Sequence, residues 1–220
     1  MFKLAVMEPV SHNLIVQRTA RYFSLGGDAP HHDVLIVLHG YGMHAGKFIQ
    51  DFEPLASPSL RIVAPEGLSR FYRRGFDGEV IASWMTREDR LSEIADQRYF
   101  LDSIYDLLVP NSGSKVFVLG FSQGTATATR WMAGNNRRFS GLLLWGGDFA
   151  PDADGVIKGV EKVVCVVGNQ DAFITLPLFE ERCIALENRG YEVGRQVFEG
   201  GHEIPGTVLA GIWSGLTLGH

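Results

Sequence analysis

The pentapeptide Gly120-Phe121-Ser122-Gln123-Gly124 sets a serine between an aliphatic run at 116–119 and a helix-like stretch at 125–133. A strand that turns at once into a helix must bend so sharply at Ser122 that side chains two positions either side would collide, and glycine at 120 and 124 removes the clash. The hydroxyl then stands at a helix N-terminus, where backbone N–H groups and the dipole favour developing negative charge. Such a placement suits nucleophilic attack on a carbonyl. Spacing alone is weak evidence, because random placement of the 26 Gly and 13 Ser in this chain gives about 0.2 such matches. The flanking elements, and two partners in order further along the chain, strengthen the reading.

A serine hydroxyl is a poor nucleophile at neutral pH unless an imidazole takes its proton and a carboxylate fixes the imidazole tautomer. Gly168-Asn169-Gln170-Asp171 follows a Val-rich run at 163–167, and Gly200-Gly201-His202 follows Val197-Phe198. Asp148, in Gly146-Gly147-Asp148 after Trp145, competes with Asp171 as the acid, and Asp171 also reads as an ordinary turn residue or cap before Ile174. His12, His31, His32, His44 and His220 lie near the termini or in loops away from the last strand, which leaves His202 as the base. A tetrahedral intermediate needs two donors for its oxyanion. The N–H of Gln123 is one, and the N–H of Tyr41, in His39-Gly40-Tyr41-Gly42, is the other. His39 is expected to brace that loop rather than react. Such a site needs a neutral imidazole, so turnover falls in acid.

To bring these residues together the chain must form strands whose ends share one rim. Strand-like segments at 34–38, 61–64, 116–119, 141–145, 163–167 and 192–198 alternate with helical patterns at 94–108, 124–133, 178–188 and 203–214. Ile94, Leu101, Ile104, Tyr105 and Leu108 share one helix face, and Gly190 serves as the C-cap of the helix before it. Residues 11–24 alternate loosely and suggest one or two edge strands. The class is α/β: a mainly parallel sheet of about seven to eight strands with helices on both faces. Residues 1–220 read as a single domain. Residues 66–91 break the alternation and read as an elaborated loop, either a solvated excursion whose arginines are offset by nearby carboxylates or a segment that shapes the substrate site or covers it as a lid.

Composition closes off other classes. The 220 residues are 45% hydrophobic and 20% charged with a net charge of -5, which excludes disorder and gives no positive field to draw nucleic acid. The longest aliphatic stretch, 34–38, is far short of the ~20 residues of a membrane span. Residues 1–10 lack an apolar secretory core, so a cytoplasmic location is expected. Cys165 and Cys183 have neither metal-ligand nor redox spacing and are expected to be buried and reduced.

Leu38-His39-Gly40-Tyr41-Gly42, Val63-Ala64-Pro65, the Gly120–Gly124 pentapeptide, Gly168 to Asp171 and Gly201-His202 together resemble the phospholipase/carboxylesterase family of α/β-hydrolases, which includes acyl-protein-thioesterase-like enzymes. The resemblance covers roughly residues 34 to 213. It implies the α/β-hydrolase fold and a serine hydrolase acting on carboxylic ester or thioester bonds, without metal or organic cofactor. By the same likeness Ser122 is the nucleophile, Asp171 the acid and His202 the base, with Tyr41 and Gln123 forming the oxyanion hole. Trp84, Phe121 and Tyr72 are expected to line the substrate site, Trp84 because relatives often carry a Trp ahead of the helix before the elbow strand. The expected partner is a small-molecule ester, and a homodimer is compatible with the sequence. Met43-His44-Ala45 departs from relatives that carry an acidic residue there, and the Phe71–Arg74 cluster is particular to this chain, so acyl preference does not carry over. Lysophospholipid cleavage or acyl transfer would use the same three residues, and a non-catalytic binding protein of this fold is the remaining class.

Overall fold

The computed structural model describes residues 8–109, 113–160 and 162–218. Residues 1–7, on which part of the secretory-signal reading rests, and His220 lie outside the described residues. Seven strands form one sheet: β1 (Tyr22–Gly26), β2 (Asp33–Leu38), β3 (Leu60–Pro65), β6 (Val116–Phe121), β7 (Gly141–Trp145), β8 (Lys162–Gly168) and β9 (Glu192–Phe198). Their spatial order is β1-β3-β2-β6-β7-β8-β9, with β1 antiparallel to β3 and every other pairing parallel.

Because side chains alternate across a strand, the central runs feed two cores at once, and both faces must be covered. Val34, Ile36, Leu38, Val116, Val118, Leu142, Leu144, Val163 and Val167 pack against α2 (Arg90–Leu108), α3 (Gln123–Met132) and α4 (Leu176–Glu187) through Leu101, Ile104, Trp131, Met132, Phe179 and Leu186. Leu35, Val37, Phe117, Leu119, Leu143, Trp145 and Val166 face the other way. They meet Phe48 of α1 (Ala45–Phe48), Phe52 of the 3-10 turn Ile49–Leu55, and Leu209 and Leu216 of α5 (Gly206–Leu218). Cys165 and Cys183 are free and buried in the first core. Gly190, at φ +90°, closes α4, with its N–H on the Glu187 carbonyl.

Register fixes the rim. Leu38 lies beside Gly120, Phe121 beside Trp145, and Gly168 beside Phe198, so the loops leaving β2, β6, β7, β8 and β9 emerge at one end of the sheet. Those are the loops that carry Tyr41, Ser122, Asp148, Asp171 and His202.

Three expectations need correction. Among the described residues before β2, strand structure is confined to Tyr22–Gly26; Leu14, Ile15 and Val16 are exposed and lie outside any strand, since alternation makes a strand only where a neighbour accepts its backbone. Residues 66–91 are not only loop. They contain an antiparallel hairpin of β4 (Ser69–Arg74) and β5 (Asp77–Ser83), turning through Gly75 and Gly78 at positive φ. The last helix starts at Gly206 rather than 203, after Pro205.

Candidate active site

Ser122 has φ +52° and ψ −117°, a region that costs an L-residue strain and persists only where surroundings enforce it. They do so on both sides of the residue. Its N–H donates to the Trp145 carbonyl at 2.9 Å, and its carbonyl accepts from the Thr125 N–H at 3.0 Å and the Thr125 hydroxyl at 2.7 Å. A Cβ at Gly120 would lie 2.5 Å from the Gly124 carbonyl oxygen, and one at Gly124 would run into the carbonyl oxygen of Leu38. The second obstacle is backbone of a central strand, which cannot move aside. Gly124→Ala is therefore expected to cost about 3 kcal/mol, at the upper end of ordinary overpacking, read as a lowered urea midpoint. An unchanged midpoint would show that α3 can slide away from β2.

Asp171 sits in the turn after β8, its N–H on the Gly168 carbonyl at 3.1 Å. One carboxylate oxygen accepts the N–H groups of Phe173 (2.8 Å) and Ile174 (3.0 Å), and the other lies 2.7 Å from His202 Nδ1. The side chain is 1% exposed. Burial pushes its pKa up, but the hydrogen bonds from His202, Ile174 and Phe173 outweigh burial and hold it below the usual aspartate value. Asp148 is engaged elsewhere, in an ion pair with Arg182, and burial raises its pKa despite that cation. Of the two candidate acids, only Asp171 is hydrogen-bonded to His202.

The His202 ring is packed between Phe121 (4.8 Å between centroids) and Phe173 (4.7 Å). Gly146, at φ +58°, makes room for it, because a Cβ there would sit 3.0 Å from His202 Cε1. Gly146 directly follows Trp145, whose carbonyl holds the Ser122 N–H, so the ring and the serine share one corner of the rim. No hydrogen bond joins the Ser122 hydroxyl to His202, a contact that commonly tightens only when substrate is bound.

The loop after β2 closes over the same corner. A Cβ at Gly40 would be 3.3 Å from Ser122 Cβ. The Gly40 N–H points to Met43 Sδ (3.3 Å) and the Gly42 N–H to the Ala82 carbonyl (2.9 Å), whereas the Tyr41 N–H has no partner among the described residues. The side chain of Gln123 is tied down. Its oxygen accepts the Trp84 N–H (3.1 Å) and its nitrogen donates to the Met85 carbonyl (2.9 Å), which anchors the first residue of α3 to the chain leaving β5.

His39 braces the loop, as expected. It is fully buried, stacked on Trp84 at 4.9 Å, with its ring nitrogens on Gly67 and Gly40. Burial pushes its pKa down to about 4, although the Gly40 hydrogen bond and the Glu66 charge pull upward. Unfolded, the same ring takes a proton near 6.5. Between these values the unfolded chain binds a proton that the folded chain refuses, so stability falls as pH drops from 6.5 toward 4 and levels off below. The change attributable to this ring is about 3 kcal/mol, and His39→Leu is expected to remove it from the pH dependence of urea midpoints. An identical slope in the variant would refute the assignment.

The structure redistributes the residues expected to meet substrate. Trp84 is 1% exposed, with its indole N–H on the His39 carbonyl at 2.8 Å, which makes it a support for the loop rather than a wall of the site. Phe121 is buried between Phe48 and His202 and backs the imidazole. Tyr72 is half-exposed on β4, and it is its neighbour Phe71 whose ring approaches Tyr41, at 6.0 Å. Phe173, 72% exposed beside His202, went unrecognised in the sequence, where a single aromatic in a loop gives no periodic signal.

A family model described as Phospholipase/Carboxylesterase matches residues 25–216. The chain belongs to the phospholipase/carboxylesterase family. It is accordingly a hydrolase with the α/β-hydrolase fold. Among solved structures, Zea mays acyl-protein thioesterase 2 is 20% identical with a TM-score of 0.67, over 91% of this chain and 99% of that one. The carboxylesterase of Bacillus cereus is 20% identical with a TM-score of 0.65, over 88% and 92%. A phospholipase/carboxylesterase from Dyadobacter fermentans DSM 18053 is 17% identical with a TM-score of 0.67, over 93% and 100%. At these identities the likeness to each structure is one of fold. No curated protein matches the chain. Among the described residues of this family member, no helix is long and apolar enough to cross a membrane.

Proposed function

We propose that this hydrolase cleaves carboxylic ester or thioester bonds of a small or acyl-chain substrate through Ser122, His202 and Asp171, by way of an acyl-enzyme. The observation that carries the reading is the 2.7 Å contact between Asp171 and His202 Nδ1, at the rim where Ser122 is held in its strained turn. An ionised Asp171 keeps the proton on Nδ1 and leaves Nε2 free to accept one. The Ser122 oxygen bonds to the substrate carbonyl carbon as its proton passes to His202 Nε2, and the carbonyl electrons move onto oxygen, where the N–H groups of Tyr41 and Gln123 stabilise them. Collapse breaks the bond to the leaving alkoxide or thiolate, which takes the proton from His202. Water, activated by the same ring, then releases the acid and restores the hydroxyl.

A fluorophosphonate probe tests the reading directly. One adduct is expected, on Ser122, together with turnover of p-nitrophenyl esters whose acyl length is varied to measure the depth of the site. An active enzyme that is labelled at another residue, or not at all, would overturn it.

A further inference from the structure

We infer that His39 is a positioning residue for the oxyanion donor, and that it sets the direction of the Tyr41 N–H by holding the carbonyl of the same peptide unit. The inference rests on the proposed role of Tyr41. Gly67 donates its N–H to His39 Nε2 at 3.0 Å, so that nitrogen is an acceptor and the ring proton belongs on Nδ1. Nδ1–H then donates to the Gly40 carbonyl oxygen at 2.7 Å. The carbonyl of Gly40 and the N–H of Tyr41 form one peptide, and since the chain has no cis bond among its described residues, the two point in opposite directions. Fixing the oxygen toward the buried ring therefore turns the N–H away from it.

A buried histidine that satisfies both its nitrogens would ordinarily be only a packing element. Here the acceptor it has chosen lies in the loop against Ser122, and the N–H groups either side of Tyr41 are already committed to Met43 and Ala82. Glycine at 40 leaves that peptide free to rotate. Without the Nδ1–H, a flip would present a carbonyl oxygen where an oxyanion forms, replacing attraction by repulsion. The ring itself cannot turn over, being stacked on Trp84 at 4.9 Å and edge-on to Phe48 at 6.4 Å.

An oxyanion contact acts on the transition state and not on the bound ester, so its loss appears in kcat. His39→Leu is expected to lower kcat for p-nitrophenyl acetate by roughly 10²-fold, as loss of one oxyanion donor does. KM should move by less than about threefold, and affinity for a trifluoromethyl ketone transition-state analogue should fall in step with kcat/KM. His39→Gln, which supplies both a donor and an acceptor, should recover at least part of the loss. A folded His39→Leu enzyme with unchanged kcat, or one whose loss lies in KM alone, overturns the inference. Nitrogen-15 spectra of the wild-type imidazole provide a test that needs no variant: an Nδ1–H tautomer at residue 39 is expected, and an Nε2–H tautomer overturns the proposal. Wild-type protein that neither hydrolyses esters nor takes the fluorophosphonate would count against the functional reading instead, whereas an active wild type with an equally active His39→Leu would sink this inference alone.

Discussion

Ser122→Ala is expected to reduce ester turnover by about 10⁶, the loss seen when the nucleophile of a serine hydrolase is removed, with a residual acceleration from the remaining donors and binding. The fold should survive the change. What the surroundings take from residue 122 is its backbone: the N–H held by Trp145 and the carbonyl held by Thr125. Alanine offers both groups and meets the same strain at φ +52°, so the unfolding free energy from urea titration should stay within about 0.5 kcal/mol of wild type. Steady-state kinetics beside an unfolding curve separate the two effects. Retention of one per cent of activity by the folded variant would point to a different nucleophile.

Asp171→Asn should lower kcat by about 10⁴. The oxygen that receives the Phe173 and Ile174 N–H groups can remain in place, and the new amide nitrogen then faces His202 Nδ1. An amide N–H can only be met there by an unprotonated Nδ1, which drives the ring proton to Nε2 and removes the acceptor that Ser122 requires. Asp148→Asn alters an ion pair with Arg182 that does not reach the imidazole, and its kcat should stay within about tenfold of wild type. A larger effect at 148 than at 171 would reverse the assignment of the acid. Equal losses at both positions would count against Asp171 as the acid.

The central parallel strands are legible because burial on both faces demands unbroken apolar runs, and residues 34–38, 116–119 and 163–167 are apolar throughout. The elbow was legible for a steric reason that the structure bears out, with Gly120 and Gly124 pressed against backbone. The hairpin was hidden. β4 reads Ser-Arg-Phe-Tyr-Arg-Arg, exposed along nearly its whole length, so no alternation marks it, and its pairing with β5 is set by a turn at Gly75 to Gly78. Residues 11–16 misled in the opposite sense, showing alternation without any strand to pair with. Likeness to relatives sets Trp84 in the lining of the substrate site, yet its large apolar surface and single donor suit a buried post that can reach one carbonyl. Gly146 gave a signal that could have been read: a glycine just past a buried strand, where a ring from another loop must fit.

Met43 forms an isolated bridge with Ala82 of β5, and the Arg73 guanidinium donates to the Gly42 carbonyl at 3.1 Å. The hairpin and the loop beside Ser122 are thus stitched into one piece of backbone, although nearly forty residues separate them along the chain. Grafting the hairpin of a distant homologue onto this scaffold would leave residues 40–43 with mismatched partners, so a chimera has to exchange both segments together if its rate constants are to report on substrate choice alone.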